Sequence, residues 1–500
     1  MRYNRAVRRQ LAALVAASTL LSSAAIALAQ DPPTGAAPTS ATTGAAPTAA
    51  ATAGAADAPS PARHRVRNLA ALLTQAERHW PGVSAAQHKI AAAEARLQEA
   101  WVSPFFQLNA TGSFAMTPGA NGTPIFSPDS QLPLDNPWGP SLGIRVEGAI
   151  PLYTFGKLGA ARDAARAGIH AAEEERERTR AQVRLDVRRA YFALGLALDA
   201  QQMMNEGRSK IDRAVRRLDE RIAADDPEVN TMDRWRLAAT LAEIEGRSSE
   251  AERLGNVSRE ALEVITGEDD FDVPDCPMGP VELPLRPLGW YQQAARLHRP
   301  ELGMLRAGIG ARDAAADAAH AQYFPDLALA LTAGYTWTPG ITNQSNPFIP
   351  DPANAPSLGA GIVARWSLDL YGANRRIARA DQELLEVRDR LDEASAGVDI
   401  EIANVFEELR DARRREQAWG RGHRETRAWF VAAAQAYQVG TVEPRELVDA
   451  VRAYFSARFS HVQSIHDVNV ATAKLERATG TDVVPADRWE RACGDAAAAP

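Results

Sequence analysis

Two stretches of the chain alternate apolar and polar side chains with a period of two. That period marks strands, whose successive side chains face opposite sides. In the first stretch Phe106, Leu108, Ala110, Gly112, Phe114 and Met116 share one face, with Gln107, Asn109, Thr111 and Ser113 on the other. Beyond a turn-rich loop Leu142, Ile144, Val146, Ile150 and Leu152 are set against Arg145 and Glu147. The second stretch sets Leu327, Leu329, Leu331, Ala333, Tyr335 and Trp337 against Asp326, Ala328, Thr332 and Thr336. Its return strand sets Leu358, Ile362, Trp366, Leu368 and Leu370 against Gly361, Arg365, Ser367 and Asp369. The pattern predicts two hairpins, 105–153 and 326–371, with strands of about ten residues or more, long enough to cross a bilayer at a tilt.

Elsewhere the period is helical. Leu158 to Ile222 contains no proline, and at ~1.5 Å per residue one helix there approaches ~100 Å. Val183, Val187, Ala190, Leu194 and Ala197 are spaced four-three-four-three, and Ile211, Val215, Leu218 and Ile222 resume that register. This is a heptad seam for paired helices, and the partner expected is a helix from Met232 to Ile265. The second half predicts helices over Ala373–Ala436 and Arg445–Thr479. Shorter helices, Leu69–Trp101 and Leu288–Tyr323, lead into each hairpin.

The loops at the hairpin tips are themselves a repeat. Thr117–Gly143 and Thr338–Gly359 both open Thr-Pro-Gly and close Pro-Ser-Leu-Gly. Each half finishes on Thr-Gly, "LEVITG" at Gly267 and "LERATG" at Gly480. The chain therefore reads as a tandem duplication, 67–267 and 288–480, joined by a Pro-rich linker, 268–287, and followed by a tail, 481–500. Four strands cannot close a barrel, and an open edge cannot rest in lipid. Symmetric association must supply the rest. A dimer would give eight strands, too narrow for a conduit once side chains fill it, and a trimer twelve, enough for an open lumen.

The ends and the composition narrow the class. Arg2, Arg5, Arg8 and Arg9 followed by an apolar run and Ala27-Leu28-Ala29 read as a signal peptide over 1–29. Residues 30–66 are a Pro/Ala/Thr-rich tract expected to be disordered. A net charge of −7 argues against nucleic acid as a partner. No other segment is apolar for the ~20 residues a membrane helix needs, so any crossing is made by strands. Among the histidines, His461 and His466 are five apart, a spacing that suits no metal pair. The Gly308 segment "GIGARDAA" has no strand before it and is no dinucleotide loop. No catalytic, cofactor-binding or metal site is expected. Cys276 and Cys493 are the two cysteines.

The duplicated strand-to-helix junctions "PLYTFGKLGAARDAA" and "DLYGANRRIARA", with "YQVGTVEPRELVDA" from Tyr437 and the terminal Thr-Gly of each half, resemble the TolC-type outer-membrane efflux protein family across nearly the whole chain beyond the tail. The resemblance implies an α+β membrane protein in the outer membrane, a homotrimer whose four strands per chain make a 12-stranded barrel. That barrel would continue into a periplasmic coiled-coil barrel of twelve helices with a small equatorial domain. It implies a passive exit duct in outer-membrane lipid, docked to a periplasmic adaptor and an inner-membrane transporter in an efflux pump or a type I secretion system. Carried over residue by residue, Glu446, Asp449 and Tyr437 fall at the periplasmic aperture and Val439, Gly440 and Thr441 at the adaptor contact. The family's gate arginine is replaced here by Val442, with Arg445 nearby, and the first half offers a tip contact around Asp233. Both cysteines fall in regions that form the family's equatorial belt, which implies a disulfide between them. Glu446 and Asp449 also suit the first turn of any helix, where acids face the positive end of the dipole. A rival reading from another class is an exported coiled-coil scaffold whose hairpins mediate surface assembly.

Overall fold

The computed structural model describes residues 65–105, 107–120, 137–224, 231–269, 271–274, 276–343, 353–439 and 441–492. The chain divides into two units, 1–62 and 63–500. The first, which holds the expected signal peptide and most of the tail, lies outside the described residues, as do Phe106, Gly440, Cys493 and the loop stretches 121–136 and 344–352.

The two halves match element by element. The first runs α1 (Leu69–His79), α2 (Pro81–Val102), β2 (Leu108–Pro118), β3 (Trp138–Tyr153), α3 (Lys157–Ala223) and α4 (Thr231–Thr266), after a short β1 (Arg65–Val66). A short β4 (Phe271–Asp272) lies in the linker. The second half runs α5 (Leu288–His298), α6 (Pro300–Ala321), β5 (Asp326–Trp337), β6 (Pro356–Arg365), α7 (Leu370–Gln438) and α8 (Pro444–Thr479), with α9 (Ala486–Arg491) in the tail. Helix lengths of 11, 22, 67 and 36 residues are answered by 11, 22, 69 and 36.

Each leading helix, expected as one piece, is two. Pro81 and Pro300 start new helices, and the residues before them, Trp80 (φ −62, ψ 120) and Arg299 (φ −71, ψ 123), are extended. The proline ring clashes with a helical predecessor and forces that break. Arg65 and Val66, assigned to the tail by composition, instead pair in parallel with Phe271 and Asp272. Gly267 and Gly480 end the halves with φ of +66° and +70°, the left-handed cap that glycine alone adopts at little cost. A Cβ on Gly480 would lie 2.6 Å from the His298 carbonyl, so backbone as well as conformation demands glycine there.

The four long strands form one antiparallel sheet in the order β2-β3-β5-β6. Its register keeps the expected faces: Ile144 lies opposite Gly112 and Tyr335, Val146 opposite Ala110 and Ala333, and Leu329 opposite Ile150 and Ile362. On the other face Glu147 lies between Asn109 and Thr332. The register slips between Pro151 and Tyr153, where proline has no amide to give. The last strand is shorter than its alternation predicts. It ends at Arg365, so Trp366 and Leu368 lie beyond it and Leu370 is already helical. Asp369 caps that helix, its Oδ1 accepting from the Gly372 amide at 3.0 Å, and the cap overrides the strand period.

The helical core sits midway along the long helices, where the seam residues Val183, Val187, Leu194 and Ala197 are buried. The linker is tied into it. The Val281 amide donates to Asn469 Oδ1 (2.7 Å), Asn469 Nδ2 donates to the Gly279 carbonyl (3.0 Å), and the Gly279 amide donates to the Ala492 carbonyl (2.7 Å). Beside it Arg188 Nη1 pairs with Glu476 Oε1 at 2.6 Å.

One ion pair is inverted between the halves. Glu77 of α1 meets Arg184 of α3 at 2.5 Å, whereas at the equivalent positions Arg296 of α5 meets Asp399 of α7. Partly exposed pairs add little stability. Their inversion instead acts on pairing choice, because exchanging the two short helices would set Glu77 beside Asp399 and Arg296 beside Arg184.

Candidate functional site

Two features could serve a conduit: the turn between α7 and α8 and the exposed face of the sheet. At the turn, α7 closes on Val439, whose amide donates to the Gln435 carbonyl at 3.2 Å. The Thr441 amide and hydroxyl both donate to the Ala436 carbonyl at 3.0 Å. α8 restarts at Pro444, a residue suited to a first helical position. Val439 is left 78% exposed at the tip, beside exposed Thr441.

Glu446 and Asp449 both lie exposed at the start of α8. The structure brings each a partner from its own chain. Glu446 Oε1 accepts from Trp429 Nε1 on α7 at 2.8 Å, and Asp449 Oδ2 lies 3.8 Å from Arg445 Nε. Arg445 is thus the cation nearest Asp449 in the first turn of α8. Tyr437 is half-buried in the wall of a cavity shared with Phe430 and Leu447. Sequence reasoning missed Trp429. Its only signal was a large aromatic on a mostly polar helix, within the last three turns before the α7–α8 connection. Asp233 falls within α4.

Further along, ion pairs stitch the helix pairs together. Glu206 of α3 accepts from Arg458 of α8 at 2.7 Å, and Glu243 of α4 accepts from Arg452 of α8 at 2.9 Å. Both carboxyls are held below their usual range by those hydrogen bonds, against the opposing effect of burial. His423 of α7 lies 5.6 Å from the His461 ring, and burial pushes it down to about 4. No group of three acidic, histidine or cysteine side chains among the described residues could hold a metal. Cys276 is disulfide-bonded.

The sheet shows an apolar face to its surroundings. Leu358 is 90% exposed, Ile362 74% and Phe114 69%. β2 and β6 each carry an edge with no partner among the described strands. No described helix is long and apolar enough to cross a membrane.

The profile of the outer membrane efflux protein family matches residues 72–224 and 290–481, one segment in each half of the duplication. The chain belongs to the outer membrane efflux protein family. It is thereby an outer-membrane efflux protein, with its helices as the periplasmic extension. Solved channels share its fold. The CusC structure, whose crystals describe transmembrane channel formation, matches at 17% identity and a TM-score of 0.69, over 84% of this chain and 93% of CusC. The outer membrane protein VceC of Vibrio cholerae matches at 18% identity and 0.65, over 83% and 96%. The open MtrE outer membrane channel of Neisseria gonorrhoeae matches at 15% and 0.64, over 83% and 89%. No curated protein sequence matches the chain significantly.

Proposed function

We propose that this efflux protein is a passive outer-membrane exit duct that works as a homotrimer. It would take substrate from an inner-membrane transporter and a periplasmic adaptor in a tripartite pump or a type I secretion system. The observation that carries the reading is the four-stranded sheet, apolar on one face and unpaired at both edges among the described residues, joined directly to helices of 67 and 69 residues. An open apolar edge is costly in lipid, and three copies would close it into twelve strands. Val439, Gly440 and Thr441 at the α7–α8 tip form the adaptor contact in this reading. Glu446 and Asp449, repeated by threefold symmetry, ring the mouth with carboxylates beside Tyr437, and such rings favour cations.

Planar-bilayer conductance, with the mass in detergent checked by light scattering, tests the duct. A trimer with discrete cation-selective openings is expected. A monomer without conductance would pass the case to the scaffold reading. In Glu446→Ala with Asp449→Ala, conductance rises and block by multivalent cations weakens; unchanged values in both would remove these carboxylates from the mouth. Cys276 has one candidate partner in the sequence, Cys493, and we assign their disulfide to clamping the linker against the tail. Intact mass before and after reduction and alkylation should differ by two alkylated thiols, while two thiols free in unreduced exported protein would end that assignment.

A further inference from the structure

Between α3 and α4 on one side and α7 and α8 on the other lies a cavity of about 220 Å³ near the tip. Toward the middle of the helices the two pairs are packed together through Met203, Met204, Ile211 and Ile244 against Phe455. Nearer the turn that packing gives way to the cavity, walled by Leu218, Leu237, Phe430, Leu447 and Val451. Its rim carries Lys210, Arg213 and Arg217 of α3, whose three-and-four spacing places them along one helix face.

Arg213 and Arg217 form no ion pair among the described residues, and Lys210 meets one carboxylate only at a distance, its charge helping the Arg458 hydrogen bond to hold Glu206 below the usual range. Lys210 Nζ lies over the Phe430 ring, 5.2 Å from its centroid, and Arg213 donates only to Ser209 Oγ at 3.1 Å. None of the three forms an ion pair among the described residues. Glu206, one turn before Lys210, is already bound to Arg458 at 2.7 Å. An apolar pocket whose cationic rim forms no ion pair among the described residues complements a molecule with a short apolar body and one anionic head. The volume holds about seven waters at ~30 Å³ each, which suits a medium-chain acid and is too small for a phospholipid.

We propose that this cavity binds a compact amphiphilic carboxylate. The head sits among Lys210, Arg213 and Arg217, and the chain fills the gap between the two helix pairs. Tyr437 forms part of the same wall, so an occupant braces the first helix pair against the second at the tip and resists opening. That coupling rests on the tip being the mouth of a duct; the binding itself does not.

The experiment uses full-length protein in lipid nanodiscs and octanoate as the probe, titrated calorimetrically against empty discs. Saturable binding is expected, weaker by about tenfold or more in Lys210→Gln/Arg213→Gln/Arg217→Gln. The same loss is expected in Ala434→Trp, which fills the cavity from α7 and leaves every charge in place. Octan-1-ol should bind at least about tenfold more weakly. Equal binding of the alcohol, or octanoate binding unchanged in both variants, overturns the site. In bilayers octanoate should lower wild-type conductance and leave Ala434→Trp unaffected. Binding without that effect overturns the coupling alone, whereas a conducting protein that fails to bind octanoate overturns the site and leaves the duct standing.

Discussion

Arg188→Ala lowers the stability of the helical body by about 3–5 kcal/mol, because it strands a buried charge. Arg188 and Glu476 are only 8% and 5% exposed, and their charged atoms meet at 2.6 Å. The other Glu476 oxygen accepts only the Val484 amide, at 3.3 Å, and the guanidinium lies over Trp489 with 4.4 Å to the ring centroid. Without the arginine one amide remains to solvate a carboxylate in the core. Replacing both partners, as in Arg188→Met with Glu476→Leu, should recover most of the loss, since two apolar side chains carry no desolvation cost. The loss also depends on pH. Burial holds Glu476 above the usual carboxylate range, while Arg188 pulls it down. A carboxyl raised in the folded state gives stability that is full below its unfolded value and is lost as pH rises through the folded value. Removing Arg188 raises Glu476 further, so the deficit is largest near neutrality and shrinks as acid protonates the side chain. Denaturant midpoints of both proteins at pH 7.5 and pH 5 measure this. A deficit equal at the two pH values would place the loss in packing against Trp489 instead of in the charge.

That pair marks the limit of what could be read from the chain. The duplication was legible because period-two and heptad patterns repeat in the same order, and the structure answers them helix for helix. The strand faces were legible because a sheet with one apolar side cannot slip by one residue without inverting every side chain. Local signals in competition were harder. Trp366, Leu368 and Leu370 extend the alternation of β6, yet the Asp369 cap starts a helix inside it. Pro81 and Pro300 fall within strongly helical stretches, where the pattern on both sides hid the break. Contacts between distant segments left no local trace at all. Arg188 and Glu476 lie 288 residues apart, and nothing near Asn469 announces that it binds the Val281 amide. At the tip, Glu446 and Asp449 could be placed by resemblance, whereas the Trp429 hydrogen bond needed the hairpin to be built.

Ile144→Arg should cost about 2–4 kcal/mol in the membrane-embedded protein, the price of a cation near the bilayer midplane on a lipid-facing strand. Ile144 sits in the middle of β3, between Gly112 and Tyr335, and is 57% exposed in the single chain. The next position, Gly143, lies between Ser113 and Thr336 on the opposite face. There Ser113→Arg should be nearly neutral for stability, because that face also holds Arg145 and Glu147, 3.5 Å apart. Two arginines within one sheet, on neighbouring strands, therefore report on the two faces under the same conditions. The amount of assembled protein in the outer membrane and its urea midpoint in lipid give the comparison. Equal damage at Ile144 and Ser113 would mean that neither face is lipid, and the exposed Leu358, Ile362 and Phe114 would need a protein partner instead. Damage at Ile144 alone makes lipid the solvent of the apolar face, which leaves the polar face to line water and requires further strands to cover the free edges of β2 and β6.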